Sequence, residues 1–184
     1  MIPGAEAITT PAGELLVRRA QPEDAATVAS IHDDSMRWAF AHGFRASGPP
    51  ETLCADALRR ISEHEVYVAW RGAMPAATLT LANDHPDVWG DLPGEATYMY
   101  AFAASRDFAG QQVGLALLHW AERRAFRNGK ALLRLECRAN SPGLRAYYER
   151  AGYTWRGDVL AGTGELARYE KALRDDERER EQGR

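Results

Sequence analysis

The chain is poor in the residues that metal and disulfide chemistry need. It has two cysteines, Cys54 and Cys137, far apart and without a C-x-x-C partner. That is too few for a disulfide framework or a structural zinc site. Its five histidines (His32, His42, His64, His85 and His119) show neither H-x-x-x-H nor H-E-x-x-H spacing, so no metal centre is expected. No apolar run approaches the ~18 residues of a membrane span. Met1–Pro11 lacks a basic stretch followed by an apolar core, so no secretory signal is expected there. Basic charge is not in excess either: the net charge is −3, and no overall field recruits nucleic acid or an anionic membrane.

What is there is an ordinary globular balance, 45% hydrophobic and 27% charged over 184 residues. That length suits one self-sufficient core. We expect one domain over residues 1–173, cytoplasmic, followed by a charged, solvated tail over 174–184. The periodicity predicts a first strand from Gly13 and a helix opened by Gln21-Pro22-Glu23-Asp24. A second helix starts at Pro50-Glu51-Thr52, and a hairpin runs through Val66–Trp70 and Ala77–Leu81. Asn83–Gly94 reads as a long loop. A strand at Ala96–Ala104, a strong helix at Gly110–Gly129 and a strand at Leu132–Arg138 follow. Then come a short helix at Ser141–Arg150 and strands at Tyr153–Val159 and Glu165–Tyr169. The fold class is α/β with a mixed sheet.

The segment that carries chemistry is Ser105–Ala116, between a strand and its helix. A helix start leaves backbone N–H groups unpaired beside a partial positive charge, which suits a phosphate. Gly110 and Gly114 let backbone approach an anion, and Gln111 and Gln112 add amide donors. The lysine of a Walker A loop is missing, and so is the G-x-G-x-x-G fingerprint of dinucleotide-binding folds. The run Gln111-Gln112-Val113-Gly114-Leu115-Ala116 does match the pattern Q/R-x-x-G-x-G/A. With it stand the aromatic strand Tyr98–Ala104 and the segment Tyr148-Glu149-Arg150-Ala151-Gly152-Tyr153. In these three pieces and their order the chain resembles the GNAT family of N-acetyltransferases. The resemblance runs over about Leu16–Tyr169, with specific motifs in 98–153.

The resemblance implies a GNAT fold: a mixed central sheet of about seven strands flanked by about four helices. It implies acetyl-CoA as cosubstrate, no metal, and direct transfer of the acetyl group to a primary amine, more readily a small molecule than a protein. The cofactor would be held by Phe102, Ala103 and Ala104 of the aromatic strand and by Gln111, Gln112, Val113, Gly114, Leu115 and Ala116 at the helix start. Ser141 and Tyr148 would complete that set. Tyr148 would protonate the departing thiolate, and Glu95 is the candidate base. Trp38, Tyr98 and Tyr100 are candidates for the acceptor pocket, although Trp38 also shares a core-like stripe with Ile31. The sequence departs from the family in two places. Gln111-Gln112 stands where many members carry Arg-Gly, and either Asn140 or Ser141 takes the place of the usual Asn. Cys137 shares a face with Leu133 and Leu135 and is expected to pack there, which argues against a covalent acyl-cysteine route. Two other functions stay open: an inactive acyl-CoA-binding module, and a toxin that acetylates aminoacyl-tRNA through the patch Arg123, Arg124, Arg127 and Lys130. Neither nucleic acid nor membrane is an expected partner, and edge strands leave room for a homodimer.

Overall fold

The computed structural model describes residues 4–11, 13–43, 52–92, 94–162 and 164–174. The charged tail beyond Arg174 and the Pro50-Glu51 helix start therefore lie outside the described residues. The eight strands and five α-helices form two compact units, Met1–Leu81 with Tyr100–Leu118, and Ala82–Met99 with His119–Arg184.

In the first unit four strands run in chain order, each antiparallel to the next. They are β1 (Glu6–Thr10), β2 (Gly13–Arg19), β3 (Glu65–Arg71) and β4 (Met74–Ala82). Strand β1 has no counterpart in the sequence reading, because Ile8 is the one strongly apolar residue of its five. Its alternation is nonetheless regular: Ile8 and Thr10 are buried, Ala7 and Thr9 exposed. Between β2 and β3 come a 3-10 turn (Pro22–Asp24) and helices α1 (Ala25–Ala41) and α2 (Leu53–Glu63). Asp24 fastens this entry. It accepts two hydrogen bonds from the Arg18 guanidinium, at 2.7 and 2.8 Å, and a third from the Gln21 N–H at 2.7 Å. The Arg18 hydrogen bond holds its carboxyl below the usual range, against the opposing effect of burial. Val28 and Ile31 of α1, Ala57 and Ile61 of α2, and Val66 and Val68 of β3 form the core of this unit.

In the second unit the order is β5-β6-β8-β7. Strand β5 (Ala96–Ala104) begins here, parallel to β6 (Leu132–Arg138), with Ala96–Met99 opposite Leu132–Leu135. Strands β7 (Thr154–Ala161) and β8 (Gly164–Ala172) form an antiparallel hairpin, and β8 also pairs with β6. The expected long loop Asn83–Gly94 contains a single helical turn, α3 (Pro86–Trp89). It buries Val88 and Trp89 against Ala96, Tyr98 and Leu166. Helices α4 (Val113–Arg127) and α5 (Pro142–Arg150) complete the set. Among the described residues the count is therefore eight strands and five helices, against about seven and about four read from the sequence. The additions, β1 and α3, are too short for periodicity to register. The mixed α/β class holds.

Candidate functional site

Helix α4 begins at Val113, three residues later than the glycine pattern suggests. Gly110 and Gln112 both adopt left-handed backbone, at φ +76° and +58°. Glycine accepts this freely, whereas for glutamine it carries a conformational cost of about 1 kcal/mol. The result is a tight turn feeding a helix whose first in-helix bond is Ala116 N–H to Gln112 O at 2.9 Å. The N–H groups of Gln112, Val113, Gly114 and Leu115 precede that bond and have no backbone acceptor among the described residues. Four donors of this kind at a helix start form an anion cradle.

Neighbours hold the loop that leads into it. Asp34 of α1 accepts from the Arg106 N–H at 2.7 Å and from the Ser105 hydroxyl at 3.2 Å. The Arg71 guanidinium donates to the Gln111 side-chain oxygen and lies 5.8 Å from the Phe108 ring centroid. Arg106 stacks over Trp38 at 4.1 Å. Trp38 is 38% exposed and stacked on His42, so it sits on the surface of α1 rather than in the core with Ile31. Two arginines thus flank a cradle whose own glutamines are neutral, supplying the charge that the motif lacks.

Within β5, Ala101 has φ +47°, left-handed backbone that a strand residue other than glycine rarely adopts. This places a bend one residue before Phe102, Ala103 and Ala104, the proposed donors to a thioester carbonyl. Tyr100, just before the bend, is half-buried and meets His64, the residue that caps the end of α2, edge-on at 5.8 Å.

The second unit holds Tyr148. It is 5% exposed and packed against the rings of Tyr147, Tyr153 and Tyr169 at 5.3, 6.0 and 6.0 Å. Among the described residues its hydroxyl has no hydrogen-bond partner, and burial pushes its pKa far above the ordinary phenol value. Burial likewise pushes Tyr147 up to about 12. Tyr153 instead donates to the buried Glu122 at 2.9 Å, and Glu122 also accepts from Lys171 at 2.8 Å. Ser141 is buried and occupies the cap position of α5, while Asn140 is exposed, so the capping place falls to Ser141. Cys137 is buried and its thiol is pushed up to about 12, mainly by desolvation, which leaves it un-ionised at neutral pH.

Tyr98 is buried. Its hydroxyl accepts from Arg134 at 2.9 Å, and Arg134 also pairs with Glu170 at 2.8 Å. It is therefore part of a structural network with Trp89, whose ring lies 6.1 Å away. Glu95 is exposed, directly before β5 and seven residues before Phe102. Asp34, His32 and Arg60 gave no signal in the sequence reading, and His85 of the long loop pairs with Glu136, Nε2 and Oε1 being 3.4 Å apart. Each is a single residue in a helix, strand or loop, and no spacing rule marks it.

The bend in β5, the loop and the helix start together present unpaired backbone N–H groups suited to an anion. The model of the Acetyltransferase (GNAT) family matches residues 28–153, and the chain belongs to that family. A relative in Bacillus subtilis (strain 168), YesJ, described as an uncharacterized N-acetyltransferase, is 40% identical over 76 residues. That match covers 41% of this chain and 42% of YesJ, less than half the length of the relative. A GNAT-family acetyltransferase from Listeria monocytogenes 4b F2365 superposes with a TM-score of 0.74 at 24% identity, over 91% of this chain and all of that one. The PaiA N-acetyltransferase of Thermoplasma acidophilum, solved in complex with coenzyme A, gives a TM-score of 0.66 at 16% identity, over 86% of this chain and 99% of that one.

Proposed function

We propose that the protein transfers an acetyl group from acetyl-CoA directly to the primary amine of a small molecule. The observation that carries this reading is the cradle at Gly110–Ala116. Its unpaired N–H groups suit a pyrophosphate, and Asp34, Arg71 and Arg106 hold the loop that presents them. The crystal structure of the Thermoplasma relative with coenzyme A supports the choice of ligand.

In the proposed reaction the amine first loses a proton and becomes nucleophilic. Ordered water takes this proton: Glu95, the candidate base, lies seven strand residues at about 3.3 Å each from Phe102, beyond the reach of one bridging water. The nitrogen attacks the thioester carbon. Backbone N–H groups among Phe102–Ala104 hold the oxyanion that forms. The C–S bond then breaks, Tyr148 gives its proton to the sulfur, and the nitrogen sheds its second proton. The tyrosinate is reprotonated from water. The products are the acetamide and free coenzyme A, with one proton released. Burial keeps Tyr148 protonated at every working pH. Because a phenol above pKa 10 is a weaker acid than a thiol, donation accompanies C–S cleavage rather than preceding it.

A thiol-release assay over a panel of amines, set beside calorimetry with coenzyme A, tests the reading. Acetyl-CoA-dependent thiol release with at least one amine is the expected result. Coenzyme A binding without turnover of any amine would identify an inert acyl-CoA-binding module instead.

A further inference from the structure

Arg60 of α2 is 8% exposed, yet among the described residues it has no carboxylate in ion-pair range. Its two hydrogen bonds go to uncharged acceptors. Nε donates to the Asp56 carbonyl and Nη1 to His32 Nε2, both at 3.3 Å. His32 accepts that bond and is half-buried, with its pKa pushed down to about 3 by desolvation and by the Arg60 charge, so it stays neutral. A guanidinium carries five N–H donors, and three of them are left without a protein acceptor here. The other well-covered arginines differ: Arg18 is paired with Asp24, and Arg134 with Glu170. The one carboxylate that favours its charge is Asp56, a turn earlier on α2 and outside ion-pair distance, and the unbonded end of the guanidinium is not among the buried atoms left without a partner.

Its surroundings indicate why this chain keeps it. The Tyr100 phenol is close enough to act on the Arg60 charge, and His64 lies against the Tyr100 ring. Tyr100 is two residues, about 7 Å at strand rise, from Phe102 and the proposed oxyanion donors. The geometry points to Arg60 as an anchor for a carboxylate on the acceptor, so that the amine substrate is an amino acid or a similar short amino carboxylate. This inference rests on the acyl-transfer reading above and narrows its substrate class. A carboxylate accepting two N–H bonds from the fork would be a directly hydrogen-bonded counter-charge in bidentate geometry. The short span from Tyr100 to Phe102 suits a molecule whose amine and carboxylate are a few bonds apart.

The test compares matched pairs that differ only in the carboxylate: alanine with ethylamine, phenylalanine with phenethylamine, and lysine with cadaverine. Each is titrated calorimetrically into the full-length protein carrying coenzyme A. For at least one pair the amino acid should bind tenfold or more tighter than its decarboxylated partner. In Arg60→Met that ratio should fall to near one, and in Arg60→Gln it should fall similarly. Without ligand, Arg60→Met should melt within about 5 °C of the parent, since two hydrogen bonds to neutral acceptors and no ion pair are lost. Equal binding within every pair, no binding by any amino acid, or a ratio that survives Arg60→Met would overturn the inference. So would a drop of more than about 5 °C in the ligand-free melting temperature of Arg60→Met, which would mean that the protein itself satisfies the charge. Binding is read without turnover, so failure of the acyl-transfer reading shows separately, as absence of thiol release with every amine.

Discussion

Replacing Tyr148 by phenylalanine separates catalysis from stability. The change removes one oxygen from a ring that is 5% exposed and packed among three other tyrosines. That oxygen has no hydrogen-bond partner among the described residues, so nothing in the folded protein is left unsatisfied when it goes. The hydroxyl is not among the buried polar atoms left without a partner, so its loss should leave stability within about 1 kcal/mol, or ~2–4 °C in melting temperature for a chain of this size. Turnover should change far more. A positioned general acid contributes about 10²–10⁴-fold, so kcat should fall at least ~100-fold, equivalent to about 2.7 kcal/mol of barrier. The KM for acetyl-CoA should change less than about twofold, because the pyrophosphate cradle is built from Gly110–Ala116. Steady-state thiol release and a melting curve read all three quantities on one preparation. If kcat stays within about threefold of the parent, Tyr148 is only a packing residue and the proposed acid is wrong.

Asp34→Ala removes a charged acceptor from the Arg106 N–H and the Ser105 hydroxyl. At about 1.5–3 kcal/mol for such a bond, coenzyme A affinity measured by calorimetry should weaken about tenfold or more, with kcat less affected. Lys171→Met leaves Glu122 buried with Tyr153 as its one remaining donor, and should lower unfolding free energy by about 3 kcal/mol in urea titration. His85 has a raised pKa: burial opposes its charge, but the Glu136 hydrogen bond and the charges of Glu136, Asp87 and Asp84 outweigh it. A pKa raised on folding contributes stability that is full below the ordinary value of 6.5 and is lost as pH rises through the folded value. Melting temperatures taken between pH 6 and 8 should fall more in the parent than in His85→Gln, and parallel curves would refute the pairing.

The sequence told most where a pattern repeats. The hairpin β3–β4 was legible from its two apolar runs, each buried over most of its length, and β5 runs from Ala96 to Ala104 in both the reading and the structure. Helix α4 was legible from its apolar stripe, but its first turn was not. Glycine marks permitted freedom, and nothing in a glutamine announces that Gln112 takes a left-handed conformation. Of the proposed cofactor residues, the loop and Tyr148 are read from a motif. Asp34 and Arg60 are not, because the groups they bond lie tens of residues away or are neutral and carry no charge pattern. Trp38 shows the opposite limit: it has helical spacing with Ile31, yet its ring lies on the surface under Arg106. A stripe cannot say where the buried face of a helix stops.

The bend at Ala101 bears on how this chain could be engineered. Idealising a backbone means removing left-handed residues that are not glycine, and here such a redesign would straighten β5 one residue before the peptide groups assigned to the thioester. Screens that reward thermal tolerance alone would favour the same change. A hardened variant of this protein should therefore be sought away from Tyr100–Ala104, in the β1–β2 and β7–β8 hairpins, where regular geometry and proposed chemistry do not compete.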